Sequence, residues 1–167
     1  MSLWTAGQPI TAALLNAMIP QDSVLATTQT IGSTSPVQVG SFAATLAAGA
    51  TYIGHAKIPV DANTGGTAEF RWTGPASPTL LEMDIMSQQC NTADAYQNGD
   101  VESATGYNSG FLSTPVLATA QYVVWLEITI VPSAGGTLEL LCANAAGASD
   151  TFNLGVGSYL SVRQVLS

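Results

Sequence analysis

Asp94, Tyr96, Asn98, Gly99, Asp100 and Glu102 fall at spacings that partly match a calcium-binding loop, where oxygen ligands alternate and glycine takes the sixth position. Tyr96 stands where a second Asp or Asn is wanted, and Thr105 occupies the twelfth position in place of Glu. No helical pattern flanks the segment, so calcium is not expected. His55 is the single histidine, and it has only two distant thiols, Cys90 and Cys142, for company. Zinc takes three or four nitrogen or sulfur ligands, so this is a poor set, and His55 reads as a packed or solvated strand residue. No G-x-S-x-G elbow indicates a serine hydrolase. Glu82 with Asp84, or Asp94 with Asp100 and Glu102, could be placed across a cleft as a glycosidase pair. With 11 acids in the chain, however, some proximity arises by chance. The expectation is no enzyme, no metal and no cofactor.

The elements that would carry these residues are organised around Gln121 to Cys142. Residues 121–131 are almost wholly β-branched or aromatic, residues 137–142 alternate, and Pro-Ser-Ala-Gly-Gly separates them. The pattern predicts a strand, a loop and a strand, read as a hairpin. Tyr122, Val124, Leu126, Ile128 and Ile130 share one apolar face; Val123, Trp125, Glu127, Thr129 and Val131 share a mixed one. Burying each large apolar side chain is worth roughly 1.5–3 kcal/mol, so the apolar face predicts packing against a second sheet. An edge this apolar would pair with other chains, so the first strand is expected to lie centrally or under another copy.

Further strands are predicted at Val24–Ile31, around Val37, Val39 and Phe42, from Tyr52 to Val60, at Thr67–Trp72, at Leu80–Gln89 and near the carboxyl end. That makes eight, with turn signals between them and no repeat at a fixed period, which predicts an all-β antiparallel sandwich of jelly-roll type. Residues 91–113 break the rhythm. They are polar, acidic and Gly-rich and read as a long loop whose aromatics, Tyr96, Tyr107 and Phe111, could meet a receptor, a glycan or a partner chain. Packing of the loop on a neighbouring subunit accounts for it equally well.

Charged residues make up 8% of the chain, against about 25% in an average soluble domain. The net charge is −8, and the bases number three: Lys57, Arg71 and Arg163. Phosphate binding needs clusters of Lys and Arg, so nucleic acid is excluded as a partner, and the same poverty argues against anionic membranes. No apolar run of 18 residues predicts a transmembrane helix, and the amino terminus has neither a basic region nor a continuous apolar core to suggest a signal peptide. Cys90 and Cys142 fall in predicted strands and read as buried free thiols, with a disulfide between them left open. A nearly neutral surface of small residues suits a protein that lies against neighbours in an assembled particle.

Residues 1–22 differ from the rest. Leu3 and Trp4 precede a Gly-Gln-Pro turn, and Thr11 can cap a short helix from Ala12 to Ile19 that Pro20 ends. Leu14, Leu15 and Met18 form its apolar side. So short a helix is not stable alone in water, so this arm must dock, either on its own domain or on a partner through Trp4, Leu14, Leu15 and Met18. Trp4, Gly7, Thr11, Ala12, Leu15 and Asn16 spell W-x-x-G-x-x-x-T-A-x-x-L-N. This resembles the opening of small virion proteins of tailed bacteriophages, notably minor tail and fibre proteins, over less than a tenth of the chain.

Gly157-Ser158-Tyr159-Leu160-Ser161-Val162-Arg163 resembles the closing strand of phage jelly-roll domains, which are similar in topology to tumour-necrosis-factor-like trimers. Thr45 to Tyr52, a strand, an Ala-Gly turn and a Tyr opening the next strand, fits the same pattern. The resemblance implies a virion structural protein. Residues 1–22 would be an anchoring arm, and residues 23–167 a jelly roll that trimerises through Tyr122, Val123, Trp125 and Tyr159. The place in the particle is open between capsid decoration or head fibre and tail fibre or tip. A receptor- or carbohydrate-binding tail module and a secreted TNF-like ligand domain are the alternatives.

Overall fold

The computed structural model describes residues 9, 11, 12, 15, 19–64, 66–75, 78–90, 96–103, 107, 112–116, 121–145, 147 and 150–165. Trp4, Leu14, Met18, Asp94, Thr105 and Phe111 lie outside them.

Among the described residues twelve strands follow in order: β1 (Gln21–Val24), β2 (Gln29–Ile31), β3 (Val37–Leu46), β4 (Thr51–Ala62), β5 (Gly66–Thr73), β6 (Leu80–Gln89), β7 (Tyr96–Ser103), β8 (Leu112–Val116), β9 (Gln121–Val131), β10 (Gly136–Asn144), β11 (Phe152–Leu154) and β12 (Tyr159–Val165). Every pairing is antiparallel, and the pairings are nested. β1 and β2 meet β12 and β11, β3 meets β10, β4 meets β9, β5 meets β8, and β6 meets β7 at the tip. The chain is thus one long folded-back ribbon. Wrapping it upon itself adds the lateral pairings β12–β4, β9–β6 and β10–β5. The result is two sheets: a large one with the path β1-β12-β4-β9-β6-β7, to which β2 and β11 attach, and a small one ordered β3-β10-β5-β8. This is a jelly-roll sandwich.

The strand count corrects the expectation of eight. Val24–Ile31 is two strands, β1 and β2, and the carboxyl end is likewise split into β11 and β12. The two breaks face each other, and the ladder continues across them. Leu25 N–H donates to Ser158 O at 2.8 Å, and Gly157 N–H donates to Leu25 O at 3.1 Å. Gly157 has φ of 85°, a conformation that costs residues with a side chain about 1–2 kcal/mol, which explains glycine before the closing strand. The first strand begins at Gln21, two residues ahead of the expected domain start. Residues 91–113 are not one loop: β7 and the start of β8 fall within them, so Tyr96 to Glu102 are extended.

β9 lies between β4 and β6, central as its composition demanded, and Tyr122, Val124, Leu126, Ile128 and Ile130 are all buried. The hairpin expectation, however, fails. β9 belongs to the large sheet and β10 to the small one, so residues 132–135 arch across the sandwich. Both strands carry an apolar face too rich for one shared surface, and crossing lets each line its own wall of the core. The parallel arch from β3 to β4 sits beside it, with Gly49 N–H donating to Pro132 O at 2.8 Å. Tyr52, the Tyr of the Ala-Gly turn, is buried, and its hydroxyl accepts from Ala47 N–H at 2.8 Å.

Core residues come from both sheets: Phe42, Phe70, Trp72, Leu138 and Leu140 from the small one, Ile58, Met83, Ile85, Leu126, Phe152 and Leu160 from the large one. One edge of the small sheet is closed by side chains. Gln29 donates to Gln38 O and accepts from Gly40 N–H, both at 2.8 Å, and Gln21 donates to Thr45 O and accepts from Thr45 N–H, both at 2.7 Å. Two primary amides of the large sheet thereby bond the free backbone of edge strand β3.

Candidate interaction face

The outward side of the large sheet is where the alternation leaves its remaining large and charged side chains. Strand register arranges them in rows. Val24, Tyr159, Lys57, Trp125 and Met86 lie abreast on β1, β12, β4, β9 and β6. Asp22, Ser161, His55, Glu127 and Asp84 form the next row on the same five strands. Arg163, Ile53, Thr129 and Glu82 form the third, from β12 to β6. Met86 is 45% and Val24 59% exposed, values high enough to mark an uncovered apolar row, while Trp125 and Tyr159 are half-buried by their neighbours. Diagonally across two strands, the His55 ring meets the Tyr159 ring edge-on, with centroids 6.0 Å apart and planes at 88°. His55 is exposed and shares its row with no second nitrogen or sulfur ligand, so its environment is that of a surface strand residue.

Three of the four residues expected at a subunit interface, Val123, Trp125 and Tyr159, stand on this face. Tyr122 does not. It is 1% exposed and points into the chain's own core, because β9 alternates strictly and Tyr122 has the same parity as Val124 and Leu126. Val123 lies one row beyond Trp125, opposite Pro59 and Gln88. There a shallow depression of about 250 Å³ opens at the end of the sheet, lined by Pro59, Asp61, Cys90, Gln121, Val123 and Gly155 among others. Lys57, Met86, Val24 and Arg163 are not among the residues the sequence places at an interface, although their parity relative to the core residues of the same strands marks them as outward.

The aromatics of the 91–113 segment are dispersed. Tyr107 is buried, a correction to its reading as an exposed recognition residue. Its ring lies against Gly74, where an added Cβ would come within 2.2 Å of the ring, and burial pushes its phenol above the ordinary value. Tyr96 pairs with Gln88 at the start of β7. Of the arm, Leu15 is 49% exposed and donates its N–H to Thr11 O at 3.0 Å. Ile19, where the arm meets β1, is 62% exposed. The apolar residues described there are therefore not covered by the sandwich.

The two thiols are free and unalike: Cys90 is exposed just past β6, against the expectation that both are buried, and Cys142 is buried in β10. Cys142 is enclosed by the core and its thiol is pushed far up by burial, with the charge of Glu69 adding to the shift. Among the described residues no three His, Cys, Asp or Glu side chains converge as metal ligands.

No known protein family matches the sequence, and no curated protein is similar to it. Among solved structures, the chain is similar to a structure of the infectious bursal disease virus Gx strain, at 12% identity and a TM-score of 0.20 over 86% of this chain and 40% of that one. It is also similar to the VP2 subviral particle of infectious bursal disease virus, at 11% identity and a TM-score of 0.21 over 86% of this chain and 39% of the other. The chain spans about two fifths of the length of these structures. The jelly-roll assignment rests on the strand pairings themselves.

Proposed function

We propose that this chain is a structural component of a tailed-phage virion, a self-associating jelly roll, trimeric in the particle, anchored through its amino-terminal arm. The observation that carries the reading is the outward face of the large sheet, where Tyr159, Lys57, Trp125 and Met86 form a row with no covering element among the described residues. Tyr159, Trp125 and Met86 flanking the one charge of Lys57, on a chain with 8% charged residues, make a surface built to be covered, and sister molecules cover it most economically. The exposed Leu15 and Ile19 support a second attachment, of the arm to another virion protein of capsid or tail. No catalytic, nucleic-acid or membrane role is proposed. The glycan-binding alternative is weakened by the burial of Tyr107, one of the three aromatics on which it stood.

Deleting residues 1–20 tests the reading. The truncated chain should remain folded and oligomeric, because β1 begins at Gln21, yet fail to enter particles. A truncated chain that enters particles normally would remove the anchoring role. A native chain that sediments as a monomer at micromolar concentration would remove self-association.

A further inference from the structure

Beyond the row of Trp125, the outward side of the large sheet ends in a different surface. Thr30 on β2, Asn153 on β11, Asp61 on β4 and Gln121 on β9 lie abreast. Cys90, whose N–H donates to Gln121 O at 2.7 Å, closes this row past β6. The row before it brings Pro59 and Val123, with Gly155 alongside through its N–H bond to Pro59 O at 2.7 Å. Residues of both rows line the depression of about 250 Å³. Its floor, Pro59, Val123 and Gly155, is apolar. An added Cβ at Gly155 would come within 3.1 Å of Pro59 Cβ, so glycine leaves the proline ring uncovered. Its rim is polar, and the fold makes no use of the Asp61 and Gln121 side chains. Both are exposed, and among the described residues neither side chain has a hydrogen-bond partner. Asn153, opposite Asp61, is held instead: its Oδ1 accepts from Thr30 Oγ1 at 2.7 Å, and its Nδ2 donates to Asn63 Oδ1 at 3.2 Å. Its amide is thereby fixed in orientation, with one lone pair and one N–H unspent.

We propose that this depression binds one residue of a neutral saccharide. A pyranose ring carries hydroxyls around its edge and C–H groups on its faces. The Gln121 and Asn153 amides can donate to and accept from the hydroxyls, and the Asp61 carboxylate accepts from them in charge-assisted bonds. Pro59 and Val123 offer the apolar floor that a C–H face covers. Among the described residues no Lys or Arg lines the depression, and the chain carries a net charge of −8, so uronates, sialates and phosphates are repelled. The volume is below the ~300–1,000 Å³ of pockets for drug-sized ligands, so it takes one ring and leaves the rest of a glycan outside. This site does not use the aromatics of residues 91–113, and it stands whether or not the chain self-associates.

Cys90 reports on occupancy, because its exposed thiol belongs to the lining. Glucose, galactose, mannose and N-acetylglucosamine are each added to the full chain at millimolar concentration, and the rate at which a thiol reagent modifies Cys90 is measured. At least one of these sugars should slow the modification saturably, and an oligosaccharide ending in that sugar should do the same. The open-chain polyol sorbitol should not. Asp61→Ala and Gln121→Ala should each weaken the protection at least tenfold while leaving the unfolding midpoint in place, since neither side chain bonds to the fold. Protection by none of the sugars, equal protection by sorbitol, or undiminished protection in Asp61→Ala would overturn the inference.

Discussion

Cys142 shows how one buried atom ties stability to pH. Its thiol is enclosed between the sheets, and burial, helped by the Glu69 carboxylate, holds it protonated far above the ordinary thiol value of 9.0. In the unfolded chain the same thiol ionises near that ordinary value. The unfolded state therefore releases a proton that the folded state keeps, and alkali favours unfolding. The contribution is fully present below about pH 9 and is lost as pH rises further, by up to about 1.4 kcal/mol per pH unit. Urea unfolding between pH 8 and 10 should show this slope in the native chain and lose most of it in Cys142→Ala. Tyr107, also raised by burial, adds its own decline only above about pH 10. A disulfide reagent at neutral pH should modify one thiol per folded chain, the exposed Cys90, and reach Cys142 only in denaturant.

Strands carry the next level of the argument, and the edge of β3 is the most informative. Gln21 and Gln29 each place a primary amide against its free backbone, donating and accepting as a paired strand would. They close the seam between the sheets and keep that edge from recruiting another chain. Replacing both by Ala removes four hydrogen bonds to partly solvated backbone, each worth about 0.5–1.5 kcal/mol. The double variant should lose about 2–4 kcal/mol in urea unfolding and aggregate at concentrations where the native chain stays clear; unchanged stability would mean that water replaces the amides fully. Such contacts are not legible in a sequence, because a Gln on a predicted strand gives no sign of the edge it reaches 9 to 24 residues away. The parity of β9 was legible, since Tyr122 to Ile130 alternate without interruption. The destination of β10 was not. A Pro-Gly linker serves a hairpin and an arch between sheets equally well, and the choice depends on the nested pairing of β3 with β10 and β4 with β9. β7 was missed for a related reason: Gln97-Asn98-Gly99-Asp100 lacks β-branched residues, and its pairing with β6 overrides its weak local preference. Of the residues expected at a subunit interface, Val123, Trp125 and Tyr159 have the outward parity of their strands, whereas Tyr122 has the parity of the core residues Val124 and Leu126.

At the scale of the whole molecule, the ribbon leaves one broad side of the sandwich with both apolar area and exposed charge, and these do different work. Exposed charge pairs contribute at most about 1 kcal/mol each and are screened by salt, so they orient a partner more than they hold it. Aromatic area desolvated at the centre of an interface holds it, and truncating such a residue commonly costs 2 kcal/mol or more. Trp125 lies mid-row, between Lys57 and Met86, and contributes little to the core that Val124 and Leu126 fill from the other side of β9. Trp125→Ala should therefore raise the dissociation constant of the oligomer by about 30-fold or more, equivalent to about 2 kcal/mol, while moving the unfolding midpoint of the dissociated chain little. Neutralising Lys57 to Gln should change the same constant only a few-fold, and the difference from native should shrink as salt is raised to 1 M. Sedimentation across a concentration series measures both. If the Lys57 variant dissociates more readily than the Trp125 variant, or if Trp125→Ala unfolds the chain, the division of labour on this face is wrong and the row belongs to the fold itself.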